Sequence, residues 1–146
     1  MELTVAIIVL AVLLTATIGV GAGLRWAQSR PRRVSMEDIV DPVSLGASEL
    51  GEEATLLQFS TDFCARCPSV HRTLSQVAGE RAGVRHLDVD LTDRPDIARH
   101  YRVMQTPTTL ILDRRGVIRT RFGGAPSRDV IELELSRVTE QTDHHA

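Results

Sequence analysis

The chain reads as one α/β domain, a mixed central sheet with helices on both faces, preceded by a single N-terminal transmembrane helix. Three observations predict this. Residues 3–24 hold no charged side chain and are rich in Val, Ile, Leu and Ala. From residue 54 onward, segments of strand length alternate with segments of helical periodicity, in the order strand, helix, strand, helix, strand, strand, helix. The only two cysteines in 146 residues stand as Cys64-Ala65-Arg66-Cys67, where the first strand gives way to the first helix of that series.

At about 1.5 Å per residue, a helix over residues 3–24 spans the roughly 30 Å hydrocarbon core of a bilayer. A cleaved signal peptide would instead want a positive segment before a short apolar core. Here the only early charged side chain is Glu2 and the apolar run is too long, although Gly19, Gly21 and Gly23 supply small residues that would suit cleavage. Residues 1–25 are therefore expected to be a membrane anchor. Arg25, Arg30, Arg32 and Arg33 follow the span and no arginine precedes it. The positive-inside rule accordingly places the C-terminal domain in the cytoplasm, with the extracytoplasmic side as the alternative. Residues 26–44 read as a basic linker, because Pro31 breaks a continuing helix and the arginines suit anionic head groups.

Roughly 100 residues remain for the domain, enough to bury one core. The first 35 residues carry four arginines against Glu2, and the rest carry 13 arginines against 18 acids, a net of -5. That mildly acidic balance argues against nucleic acid as a partner. The absence of lysine is a compositional bias.

Within the domain, taken as residues 45–140, the lead-in is weakly patterned up to residue 53. Residues 54–60 form an apolar run of strand length. Residues 68–79 then place Val70, Leu74 and Val77 at helical spacing and stop at glycine. A second strand is expected over 84–90. Thr92-Asp93-Arg94-Pro95 opens a second helix carrying Ile97, Ala98 and Tyr101. Residues 108–112 and 117–122 flank Asp113-Arg114-Arg115-Gly116, a connection suited to a hairpin. Ser127 then caps a last helix with Val130, Ile131, Leu133, Leu135 and Val138, and residues 141–146 are expected as a flexible tail.

Two thiols delivered by a strand to the first turn of a helix suit dithiol exchange. Unpaired N–H groups and the positive end of the helix dipole favour a thiolate at Cys64, and Arg66 adds to the effect. Cys64 is the expected nucleophile. Cys67, on the same side of the turn, is the expected resolving thiol, and Pro68 fits an early helical position. Cys64, Cys67 and His71 could also be three metal ligands, but a structural zinc site needs a fourth and no second Cys-x-x-Cys or His pair occurs in the domain. No metal and no cofactor beyond the dithiol is expected.

The dithiol after a Phe-containing strand, Thr106-Pro107 forty residues beyond Cys67, the hairpin, and Gly124 before the last helix together resemble the thioredoxin superfamily. The resemblance covers roughly residues 45–138 and implies a thioredoxin-like fold. It also implies that Pro107 is a cis-proline against the dithiol, that Thr106 presents its backbone to an extended substrate, and that Gly124 lies in a substrate-contacting loop. Plainer readings stand beside these: Pro107 starts a strand and Gly124 ends one. The sequence departs from the family pattern where a buried acid is common, here Gln58, and where tryptophan is common, here Phe63. His86 stands where the family often has lysine; it is either a proton acceptor replacing the missing acid or a packing residue. The implied activity is a membrane-anchored thiol-disulfide oxidoreductase that reduces protein disulfides, supplied with electrons by a reductase or a membrane donor. Two alternatives are an extracytoplasmic relative maintaining envelope or cytochrome thiols, and a docking module without turnover.

Overall fold

The structure is a computed structural model that describes residues 1–28, 30–33 and 39–143. Helix α1 covers Glu2–Gln28, three residues past the expected anchor. Its first 23 residues make it long and apolar enough to cross a membrane, and they are exposed on every side within the protein. The hydroxyls of Thr15 and Thr17 bond back to the carbonyls of Ala11 and Leu13, both at 3.0 Å. Polar groups satisfied inside their own helix are what an apolar surrounding requires.

The sheet has five strands in the order β1-β5-β4-β2-β3. They are β1 (Arg32–Arg33), β2 (Ala54–Ser60), β3 (Val84–Asp90), β4 (Thr108–Asp113) and β5 (Ile118–Gly123). The helices of the domain are α2 (Cys67–Gly79), α3 (Pro95–His100) and α4 (Arg128–Asp143). Strand β2 is central: it runs parallel to β3 and antiparallel to β4, which in turn pairs antiparallel with β5. Both of its faces are covered, so it reads as a nearly continuous apolar run. Ala54 and Leu56 point into a core shared with Val70, Leu74 and Val77 of α2 and Ile131, Leu135 and Val138 of α4. Leu57 and Phe59 point the other way, toward Ile97 and Tyr101, and the Phe59 and Tyr101 rings lie 5.4 Å apart.

Two segments differ from expectation. Part of the expected 26–44 linker belongs to the domain: Arg32 and Arg33 pair with Arg121 and Thr120, and Ile39 bridges Val117. The Val40 N–H donates to Gly116 O at 2.8 Å, and Val40 and Leu45 are buried in the core. Burial of Val40, with Leu45 at the start of the expected domain beside it in the core, supplies the reason the chain is held here. At the other end, α4 runs on through Asp143, into the expected 141–146 tail, because Leu135 and Val138 anchor its last turns. Residues 144–146 lie outside those described.

Candidate active site

Cys64 and Cys67 are joined as a disulfide with Cα atoms 5.4 Å apart. Cys67 is the first residue of α2, whereas Cys64 stands in the turn before it rather than within the first helical turn. That turn is closed by Cys64 N–H donating to Thr61 O at 3.1 Å and Cys67 N–H donating to Cys64 O at 3.2 Å. Pro68 follows at the second helical position, where an N–H would lack an intrahelical partner anyway. The two sulfurs are not equivalent. Cys67 is 5% exposed, while Cys64 is half-buried at the mouth of an open groove. An incoming group can therefore meet Cys64 first. Arg66 occupies the N-cap of α2 and is exposed, as is Phe63, which is 93% exposed.

The peptide bond between Thr106 and Pro107 is cis. The Thr106 and Thr61 hydroxyls are 3.2 Å apart, which ties this loop to the one carrying Cys64. Gly124 N–H donates to Pro107 O at 2.8 Å, and Gly124 has φ 87°, a conformation that favours glycine. The fold thus gathers Cys64, Cys67, Thr106, Pro107 and Gly124 at one end of the sheet.

His86 is placed elsewhere. Gln58, fully buried, donates from Nε2 to Cys67 O at 3.1 Å. Its Oε1 is left to accept, so His86 Nε2, 3.3 Å away, carries the proton. In the neutral ring, Nδ1 then accepts from the Ser75 hydroxyl at 2.9 Å. Burial, aided by the nearby His71 and opposed by Asp88, pushes the His86 pKa down to about 4. Both ring nitrogens are occupied in the neutral form, and Gln58 lies between the ring and the dithiol. His86 therefore reaches Cys67 only through a side-chain amide and a backbone carbonyl, which does not suit a direct proton acceptor.

Four residues not singled out from the sequence for dithiol chemistry, Thr61, His71, Asp88 and Ser60, complete the surroundings. Thr61 makes the link to Thr106. His71, one turn after Cys67, meets Asp88 across the groove, with Nδ1 to Oδ2 at 3.0 Å. Ser60 donates to the other Asp88 oxygen at 2.7 Å. The Cys67/His71 spacing was visible in the chain, but Asp88 joins it only through the parallel β2/β3 register, which sets Gln58 beside Asp88 and Leu56 beside His86. Among the described residues, no group of three or more His, Cys, Asp or Glu side chains is arranged to hold a metal ion.

Residues 47–137 match the family model described as Thioredoxin. Thioredoxin H2 of Arabidopsis thaliana is 27% identical over 122 residues, covering 82% of this chain and 90% of that protein. A thioredoxin of Mycolicibacterium smegmatis is 32% identical over 84 residues, covering 56% of this chain and 74% of its own length. The chloroplastic thioredoxin M3 of Oryza sativa subsp. japonica is 33% identical over 57 residues, 38% of this chain, and only 33% of that relative is spanned. Among solved structures, the oxidized form of mitochondrial thioredoxin 3 from Saccharomyces cerevisiae superposes with a TM-score of 0.52 at 21% identity, covering 59% of this chain and 79% of that one. At that identity the last likeness speaks to the fold alone.

Proposed function

The chain belongs to the thioredoxin family and is a thiol-disulfide oxidoreductase, and from that premise we propose that it is a membrane-anchored reductase of protein disulfides. The observation that carries the reading is the asymmetry of the pair, a reachable Cys64 backed by a buried Cys67, beside the Pro107 loop. In the reduced protein the Cys64 thiolate attacks a substrate disulfide, and one substrate sulfur leaves as a thiol. Cys67 then attacks the Cys64 sulfur of the mixed disulfide, releasing the second substrate thiol and closing the Cys64–Cys67 bond. Thr106 presents its backbone to an extended substrate segment, with Pro107 and Gly124 shaping the floor of that groove. Arg66 favours the thiolate by its charge, whereas His86 acts by holding Gln58 in place. The cycle runs on the dithiol itself, and a reductase or a membrane electron donor returns it to the reduced form.

The test is reduction of a disulfide-bonded protein by the full-length chain in detergent micelles, driven by dithiothreitol. Cys64→Ser should fall to the rate of the reductant alone; undiminished turnover in that variant would refute the proposal.

Helix α1 is the anchor in this reading, and Arg25, Arg30, Arg32 and Arg33, which follow its apolar residues, favour a cytoplasmic domain under the positive-inside rule. In intact cells treated with a membrane-impermeant reductant and then an impermeant thiol reagent, Cys64 and Cys67 should stay unlabelled until lysis. Labelling before lysis would put the domain outside and favour service to envelope or cytochrome thiols.

A further inference from the structure

In the exchange cycle proposed above, on which this inference rests, Cys67 must lose a proton before it can attack the mixed disulfide. The buried polar side chain behind Cys67 is Gln58, which bonds to Cys67 O, and an amide cannot accept that proton. His86 is bonded at both nitrogens in its neutral form. We infer that His71, oriented by Asp88, is the proton acceptor for Cys67.

The geometry supports this assignment. Cys67 and His71 are four residues apart on α2, the spacing that sets side chains on one helix face about 5–6 Å apart. Both line the groove that also opens onto Cys64. The Asp88 carboxylate, pinned on one oxygen by Ser60, takes the His71 Nδ1–H on the other and so leaves Nε2 bare as the basic nitrogen. The His86 ring packs edge-on against His71 with centroids 4.8 Å apart, and its neutrality leaves the charge that forms on His71 unopposed from that side. The remaining charged groups lining the groove are Asp62 from the loop, Arg72 from α2 and Asp90 from β3.

The step balances. The Cys67 S–H proton passes to His71 Nε2 as the Cys67 sulfur bonds to Cys64, and the Cys64–substrate S–S bond breaks. The departing substrate sulfur takes the bonding electron pair and then a proton from the imidazolium. The substrate disulfide is reduced by two electrons and the protein dithiol is oxidised by the same two.

The two thiols can be timed separately by mixing the reduced full-length chain, in detergent, with an aromatic disulfide that releases a coloured thiolate (dithiobis-nitrobenzoate). The first equivalent released reports attack by Cys64, and the second reports attack by Cys67. In His71→Asn the second phase should slow by about ten- to a hundredfold near neutral pH and its midpoint should move to higher pH, with the first phase unchanged. Asp88→Asn should act in the same direction and less strongly. A second phase in His71→Asn with the wild-type rate and pH profile, or equal slowing of both phases, overturns the assignment. If the wild-type chain releases no second equivalent, it is the exchange reading itself that falls.

Discussion

Replacing Cys67 with serine in the full-length protein should leave Cys64 covalently joined to its substrate, as a species that survives denaturation without reductant and disappears when reductant is added. Cys67 is 5% exposed and its Cα is 5.4 Å from that of Cys64, so it contributes as an internal nucleophile held beside the bond it must break. Well-oriented intramolecular groups reach effective concentrations on the order of 10⁵ M or more, far above any external thiol. Serine keeps nearly the same volume but is not a nucleophile toward disulfides near neutral pH. Turnover should therefore collapse while the first attack continues. Cys64→Ser should form no such adduct, because the remaining thiol is buried. Equal trapping by the two variants would mean that either sulfur can meet the substrate, and full turnover without Cys67 would mean that the pair does not act as a pair.

This asymmetry was partly legible in the chain. The β2 limits, residues 54–60, follow from an apolar run, the β3 limits, residues 84–90, from an imperfect alternation of apolar and polar residues, and Cys67 falls where the β2 run gives way to helical spacing. The depth of each sulfur was not legible, since it depends on how α2 lies across the sheet. The same holds for Gln58. From sequence it registers as a missing acid; in the fold it links Cys67 O to His86, a contact that needs the β2/β3 register and the α2 crossing together. Two-residue β1 carries no periodicity at all, so its pairing with β5 could not be read from Arg32 and Arg33. Local pattern fixes elements, while burial and cross-strand contact come from long-range packing.

Asp113→Ala should lower the stability of the domain by about 3 kcal/mol, the largest loss expected from a single polar side chain here. Asp113 is fully buried at the end of β4, and its carboxylate organises the whole hairpin connection. One oxygen accepts the N–H groups of Arg115 at 2.9 Å and Val117 at 3.0 Å. The other accepts Arg119 Nε at 2.9 Å and lies 2.7 Å from Arg119 Nη2. Alanine leaves those backbone donors unsatisfied and strips a half-buried guanidinium of its partner. Arg119 is 37% exposed and can recover water, which keeps the loss below that of a fully buried broken pair. For a domain of about 100 residues, such a loss moves Tm down by roughly 10–20 °C. Asp113→Asn retains one carbonyl acceptor and should cost about half as much. The turn lies at the far end of β4 from Pro107, so at temperatures where the variants stay folded the two phases of disulfide exchange should keep their rates. An alanine variant as stable as the parent would show that the turn is held by its backbone alone, with Gly116 at φ 78° closing it through the 2.9 Å bond to Asp113 O.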